Sequence, residues 1–418
     1  NQTKLLLLFI QLKVQRRDYN QSCFQFSSVL TNTPMFSGKK LCAGSSLQVL
    51  SNLPVNACTK GNLTGGRKLE WSGKRSRKFA AQPQAALQGA TAPRSAVNAR
   101  SPHKLNVPGD LYVDHTCIDC DTCRWMAPFS FSRPEVAGQS VVFAQPKGAK
   151  QKVRAVEALH SCPTNSIHLV TPDPQIMAQA QQNLPSPIPG VPGVLHCGWH
   201  DVRAIAAASY LVLRPEGNIL VDVPRFNPIL QERIKELGGV RWMFLTHQDD
   251  VGNHRAWARN FNAVRIIHKN EVTQDTSDVE IKLEGEGPWQ IDNELRPVEG
   301  SLVDRGGQHQ PRSSSDCQIV FTPGHTAGHL CLYHQPSRTI FTGDHLSSPP
   351  NVMEPHRLYV FEKYNWFSLG LQLQSVQKLL DLDFLHVLPG HGRMASFNSP
   401  MHRLQAVSNL LAEYEGRL

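Results

Sequence analysis

Four cysteines constrain this chain more than any other feature. Cys117, Cys120 and Cys123 stand at three-residue steps in CIDCDTC, and Cys162 follows far downstream, directly ahead of Pro163. Three thiolates at that spacing wrap one face of an iron–sulfur cubane, and a distant fourth closes it. The alternative, a structural zinc site, favours paired C-x2-C knuckles on separate turns over three cysteines in one arc. Where a two-cluster protein keeps its Cys-Pro, this chain has Ala127-Pro128, so a second cluster is offered no ligand and one 4Fe-4S cluster is expected. Val153, Val156 and Leu159 fall at helical spacing ahead of Cys162, and residues 166–170 read as a strand.

On these motifs, residues 108–171 resemble a single-cluster bacterial-type ferredoxin. A chain of 418 residues is too long for one ordinary domain, so a second folded unit and a tail are expected. The net charge of +9 would suggest nucleic acid, but its distribution argues against that: 16 Lys/Arg face 2 acids up to residue 108, and 27 face 32 thereafter. The basic residues sit in a segment, 1–107, rich in Ser, Ala, Arg and Gln. Its composition fits a disordered leader, a transit peptide for the chloroplast or alternatively the mitochondrion, and otherwise a generic basic tail. No apolar run is long enough to span a bilayer, so neither a membrane nor a nucleic-acid partner is expected. Cys197, Cys317 and Cys331 have unrelated spacings, which suits free thiols better than a disulfide framework.

Prolines at 172, 174, 185, 187, 189 and 192 predict a semi-rigid linker over 172–193 that keeps two domains close without fusing their cores. Beyond it, strands at 208–214, 218–223 and 240–246 and a helix at 227–237 are expected, and the later strands each end in a metal-capable side chain. RWMFLT runs into His247-Gln248-Asp249-Asp250, QIVFTPGH delivers His325, RTIFTGD delivers Asp344 and FLHVLPGH delivers His391. Side chains at the carboxyl ends of neighbouring strands converge on one rim of a sheet.

LTHQDD, TPGHTAGH, FTGDH and LPGHG, in that order, resemble the metallo-β-lactamase fold superfamily over residues 194–418. The resemblance implies an α+β chain: a small ferredoxin-like domain followed by a four-layer αβ/βα sandwich with one or two metals on the sheet rim. The first motif departs from the usual H-x-H-x-D-H, because Asp249 replaces the second His, and Val251 and Gly252 offer no ligand. By the resemblance, His247, Asp249 and His325 hold one divalent ion, Asp344 bridges, and His254 with His391 holds a second. In the other reading the second site is lost and His254 merely opens the helix HRAWARNFN. Asp250 is open between ligand, base and cap.

The carboxylate of Asp249 moves the site from an all-nitrogen zinc shell towards iron or manganese, although zinc also accepts Asp. A bound ion activates water for attack on an ester, thioester, lactam or phosphodiester, with Asp344 orienting the hydroxide and Asp249 or Asp250 accepting a proton. A metal-dependent hydrolase of a small-molecule substrate is therefore the first expectation. The second is an oxidoreductase whose cluster feeds a non-haem iron site and draws on a redox partner protein. The third is a scaffold or iron–sulfur sensor with a degenerate metal site. The run Lys363–Trp366 reads as a substrate-contacting loop or as helix packing, and His200, His268, His334, His345 and His402 as core or surface histidines.

Overall fold

The structure, a computed structural model, describes residues 99–291, 294–297, 315–349 and 356–417. Most of the basic segment 1–107, expected to be a leader, lies outside the described residues, which begin at 99.

Two seven-stranded sheets form the larger part. The first runs in the order Ile281–Leu283, Val264–His268, Trp242–Phe244, Ile219–Val221, Tyr210–Val212, Val191–His196, Ser186–Ile188; the second runs Leu295–Pro297, Trp289–Ile291, Cys317–Phe321, Leu330–His334, Thr339–Gly343, His386–Pro389, Ala395–Ser396. Alternation along the strands builds the layers. Tyr210, Val212, Val221 and Phe244 of one sheet meet Ile319, Leu332, Phe341 and Leu388 of the other. Leu211, Leu220 and Met243, on the opposite face, meet Leu230, Ile234 and Trp257 of helices Pro228–Glu236 and His254–Phe261. Val320, Ile340 and Val387 cover the outer side of the second sheet, under helices Leu369–Lys378 and Pro400–Glu413. The four-layer sandwich is thus present, each fully buried aliphatic side chain contributing about 1.5–3 kcal/mol against exposure.

Strand direction positions the chemistry. Ile219–Val221, Trp242–Phe244 and Val264–His268 run parallel, as do Thr339–Gly343 and His386–Pro389. Their carboxyl ends open on one edge, and the loops bearing His247, Asp344 and His391 leave from there.

The cysteine-bearing part pairs Leu111–Val113 with Ile167–Leu169 and Phe131–Ser132 with Val141–Val142, both antiparallel, around the short helix Thr122–Met126 and the longer helix Gly148–Ser161. It begins ahead of the expected boundary at 108. Pro102 bridges to Asp114, the Arg100 guanidinium donates to the carbonyl of Asn165 at 2.9 Å, and Val107 N–H donates to Val142 O at 2.9 Å.

The linker expected over 172–193 is corrected more substantially. Pro174 occupies the first turn of a helix, where a missing N–H is harmless, and Asp173 caps that helix Pro174–Gln182 by accepting from Gln175 and Ile176 N–H. Pro187 sits in the edge strand Ser186–Ile188, the sheet position that tolerates proline. Val153 and Val156 pack on Ala180, so the segment joins the two parts rather than spacing them.

Candidate metal centre and cluster cradle

Cys117, Cys120, Cys123 and Cys162 line one cavity, together with Val113, Ile118, Ser140, Thr164 and Ile167. None of the seven cysteines among the described residues is in a disulfide. Burial and mutual repulsion push the Cys120 thiol up to about 12, and Cys123 is raised well above the usual thiol range. Such sulfurs become thiolates only when cations neutralise them, as iron in a cluster does. Backbone N–H groups already point at two of them, from Asp119 to Cys117 Sγ at 3.4 Å and from Ser166 to Cys162 Sγ at 3.3 Å. The cavity and its donors fit a 4Fe-4S cluster.

On the sandwich rim, ligand-type atoms of His247, His325 and Asp344 lie within 4.8 Å of one another, as do those of Asp250, Asp344 and His391. Asp344 is shared by both groups. Asp249 Oδ2 stands 3.9 Å from His247 Nε2. His247 Nε2, both nitrogens of His325 and both oxygens of Asp250 are buried without a hydrogen-bond partner. Orphaned buried donors and acceptors call for an explanation, and bound cations supply one here. The residues present fit divalent metal.

Neighbouring groups aim these side chains. His247 Nδ1–H donates to Thr246 Oγ1 at 3.0 Å, whose hydroxyl donates in turn to Asp222 at 3.0 Å, leaving Nε2 facing the rim. His391 Nε2 is 2.9 Å from the carbonyl of Ile205, so it carries the proton and Nδ1 turns to Asp344 at 2.7 Å. Burial, reinforced by Asp344, raises Asp249 to about 6 and takes Asp250 well above the usual carboxylate range. For His391 burial acts downwards, but Asp344 and Asp250 outweigh it and hold the imidazole at about 10. Burial and the neighbouring His325 lower His247 to about 3. The rim thus sets an ionised Asp344 against one imidazolium, with two further carboxyl groups pushed up by burial beside them.

His254 is not part of this cluster. Its Nε2 lies 3.0 Å from the Asp275 carbonyl and its Nδ1 3.0 Å from the Arg265 guanidinium, so both nitrogens are engaged elsewhere at the opening of its helix. The structure therefore does not bring His254 to the rim as expected; Asp250 lies with Asp344 and His391 instead.

Other buried groups at the rim were not singled out by motif. His329 and His345 are fully buried, their rings 5.4 Å apart, and His329 is 5.2 Å from His247. His329 is the last residue of TPGHTAGH, and that repeated His at four-residue spacing was the available signal. Glu271 accepts from Gln248 N–H at 3.0 Å and from Gly328 N–H, tying the first motif to the second; no local pattern marks it. The Lys363–Trp366 run borders the site: Trp366 N–H donates to His325 O at 3.0 Å, while Tyr364, Trp366 and Phe367 stay exposed.

Residues 113–169 match the family model described as the 4Fe-4S single cluster domain of ferredoxin I, and residues 202–391 match that of the metallo-beta-lactamase superfamily. The chain joins a single-cluster ferredoxin domain to a metallo-β-lactamase domain. It is 22% identical over 170 residues to the "Probable metallo-hydrolase YybB" of Bacillus subtilis, a match covering 40% of this chain and 71% of that protein. It is 33% identical over 75 residues to the "Beta-lactamase-like protein 2 homolog" of Caenorhabditis elegans, covering 18% of this chain and 21% of that one. Among solved structures, the archaeal superfamily protein ST1585 from Sulfolobus tokodaii is 16% identical, covering 52% of this chain and 86% of its own, with a TM-score of 0.34. The BLEG-1 B3 metallo-beta-lactamase is 17% identical, covering 47% and 92%, with a TM-score of 0.35.

The metallo-β-lactamase domain reaches into the cluster loop of the ferredoxin domain at three places. Arg393, two residues past His391, donates to both carboxylate oxygens of Asp121, at 2.6 and 3.0 Å. Arg225 donates to the carbonyls of His160 and Cys162 at 2.9 and 3.4 Å. His200 Nδ1 lies 3.2 Å from Thr122 Oγ1. Cluster cradle and metal rim therefore share a wall.

Proposed function

We propose that this protein is a metal-dependent oxidoreductase in which His247, Asp249, His325, Asp250, His391 and the shared Asp344 hold two non-haem iron ions that exchange electrons with the cluster. The observation that carries the reading is the shared wall, with Asp121 and Thr122 of the cysteine loop bonded to Arg393 and His200 of the rim-bearing domain. Three carboxylates beside three imidazoles form a donor set harder than an all-nitrogen zinc shell, which suits iron. When bound, the two centres supply one-electron exchange. The chain's own groups bind and orient: Thr246 and the Ile205 carbonyl fix the faces that His247 and His391 present, and the exposed aromatics of 364–367 flank the approach for a small-molecule substrate. A low-potential redox protein as electron source, and a chloroplast setting, complete the proposal.

Metal-dependent hydrolysis is the second reading, favoured by the likeness of 170 residues to a protein named as a probable metallo-hydrolase. In that case the same six side chains hold zinc, and the chemistry supplied is activation of water.

Metal analysis and low-temperature EPR on the full chain, purified without oxygen, test the choice. Iron at the rim, with a chemically reduced cluster that loses its electron only when rim iron is present, supports the first reading. Zinc at the rim, a reduced cluster that keeps its electron, and turnover of simple esters or thioesters overturn it in favour of the second.

A further inference from the structure

His200 belongs to neither donor set, yet it touches the surroundings of both. It is buried, its Nδ1 is 2.8 Å from the carbonyl of Ala206, and its Nε2 is 2.9 Å from His196 Nε2. A carbonyl only accepts, so His200 carries its proton on Nδ1 and accepts the His196 Nε2–H. Burial lowers His200 to about 4 and takes His196 well below the usual imidazole range, so both are neutral.

The same Nδ1–H also faces Thr122 Oγ1 at 3.2 Å, and Thr122 Oγ1 is 3.4 Å from Cys120 Sγ. A thiolate ligating iron can only accept. With Cys120 ligating iron, Thr122 O–H would donate to Cys120 Sγ, and the His200 Nδ1–H, shared with the Ala206 carbonyl, would donate to Thr122 Oγ1. On the other side, Ile205, next to Ala206, gives its carbonyl to His391 Nε2–H at 2.9 Å. Ile205 and Ala206 both have positive φ, 50° and 74°, conformations that a β-branched residue and an alanine adopt only when their surroundings impose them. Two consecutive carbonyls of one strained turn thus hold a histidine facing the cluster and a histidine facing the rim.

We infer that His200 and Thr122 are positioning residues that set the reduction potential of the cluster, and that the 200–206 turn makes rim metal affinity depend on His200 as well. Hydrogen bonds to ligating sulfur stabilise the more negative, reduced cluster and raise its potential. The inference goes beyond the proposed function, since it holds whether the rim carries iron or zinc.

Thr122→Val, His200→Phe and His200→Gln in the full chain test it, with three readouts: iron and sulfide per chain, the cluster midpoint from an EPR-monitored redox titration, and the dissociation constant of Zn2+ added to rim-depleted protein. Thr122→Val should keep its cluster, shift the midpoint to more negative values and leave rim affinity unchanged. His200→Phe should shift the midpoint the same way and weaken rim binding about tenfold or more, the range for losing a group that orients a ligand. His200→Gln, which keeps an N–H donor, should recover most of both effects. A midpoint unmoved in Thr122→Val with the cluster intact overturns the inference, as does unchanged rim affinity in His200→Phe. If His200→Phe fails to fold, His200→Leu, which also lacks a donor, takes its place with the same expected and overturning results.

Discussion

Replacing Asp250 by Asn should stabilise the metal-free protein while disabling the rim. The Asp250 carboxylate is fully buried and neither oxygen has a hydrogen-bond partner. It lies within 4.8 Å of a ligand-type atom of Asp344 and 3.8 Å from His391 Nδ1. At an effective dielectric constant of about 20, the first distance corresponds to a repulsion of about 3.5 kcal/mol or more and the second to an attraction of about 4.4 kcal/mol. The two nearly cancel, so ionising Asp250 costs its hydration, several kcal/mol for a buried charge, with little return, and the carboxyl stays protonated until a cation arrives. Asn keeps the shape of the neutral acid without having to take up a proton, so the metal-free Asp250→Asn protein should gain about 1–3 kcal/mol at neutral pH. Urea unfolding of chelator-treated protein, with the slope checked for constancy, measures that gain. Metal titration of the same variant should show one rim ion lost. A metal-free Asp250→Asn protein less stable than the parent would refute the reasoning, because it would mean that Asp250 has a partner in the fold and is not held in reserve for a metal.

Three further outcomes follow from the structure. Gly324 has φ +148°, and a Cβ there would meet Gln372 Cα at 2.2 Å, so Gly324→Ala should push the His325 loop off helix Leu369–Lys378 and lower rim metal affinity about 10–100-fold, read by metal titration. Trp257 is fully buried and donates its indole N–H to Pro224 O at 2.8 Å, so Trp257→Ala should lose about 3–5 kcal/mol in urea unfolding. Burial holds His334 neutral by lowering it to about 4, so stability should be intact above pH 6.5 and fall between there and pH 4 by up to about 3 kcal/mol, and His334→Gln should flatten that acid limb in a series of urea midpoints.

The cysteine spacing and the strand-end motifs were legible because each is local: CIDCDTC sits on one arc, and His247, His325, Asp344 and His391 each follow a strand whose apolar run is plain. The segment 172–193 was misread because proline content alone does not distinguish a linker from a helix that begins with proline. Pro174 at a first turn and Pro187 on a sheet edge are positions where the missing N–H is harmless. Glu271 and Asp222 were invisible for a different reason. Their work is to accept N–H and O–H groups from Gln248, Gly328 and Thr246, and a buried carboxylate bonded to a distant backbone leaves no periodic trace.

The first motif shows most clearly where counting along the chain stops being enough. Counting without a gap assigns Val251 and Gly252 to the second ion, and rescue by His254 needs a longer turn. Packing decides otherwise. Val251 is buried in the apolar layer beside Val223 and Trp257, and Gly252 turns at φ 44° where a Cβ would come within 3.4 Å of Val223. With the turn anchored there, His254 is carried into its helix and meets Arg265 and Asp275, while the carboxylate one residue before Val251 is left on the rim side against Asp344 and His391. The exchange of a neutral imidazole for a carboxylate at this position adds a negative charge to a centre already holding Asp249 and Asp344. Three carboxylates among six donors make a harder set than an all-imidazole shell. Under the proposed redox reading that donor set ties the altered motif to the adjoining cluster; under hydrolysis the same carboxylates would still hold metal.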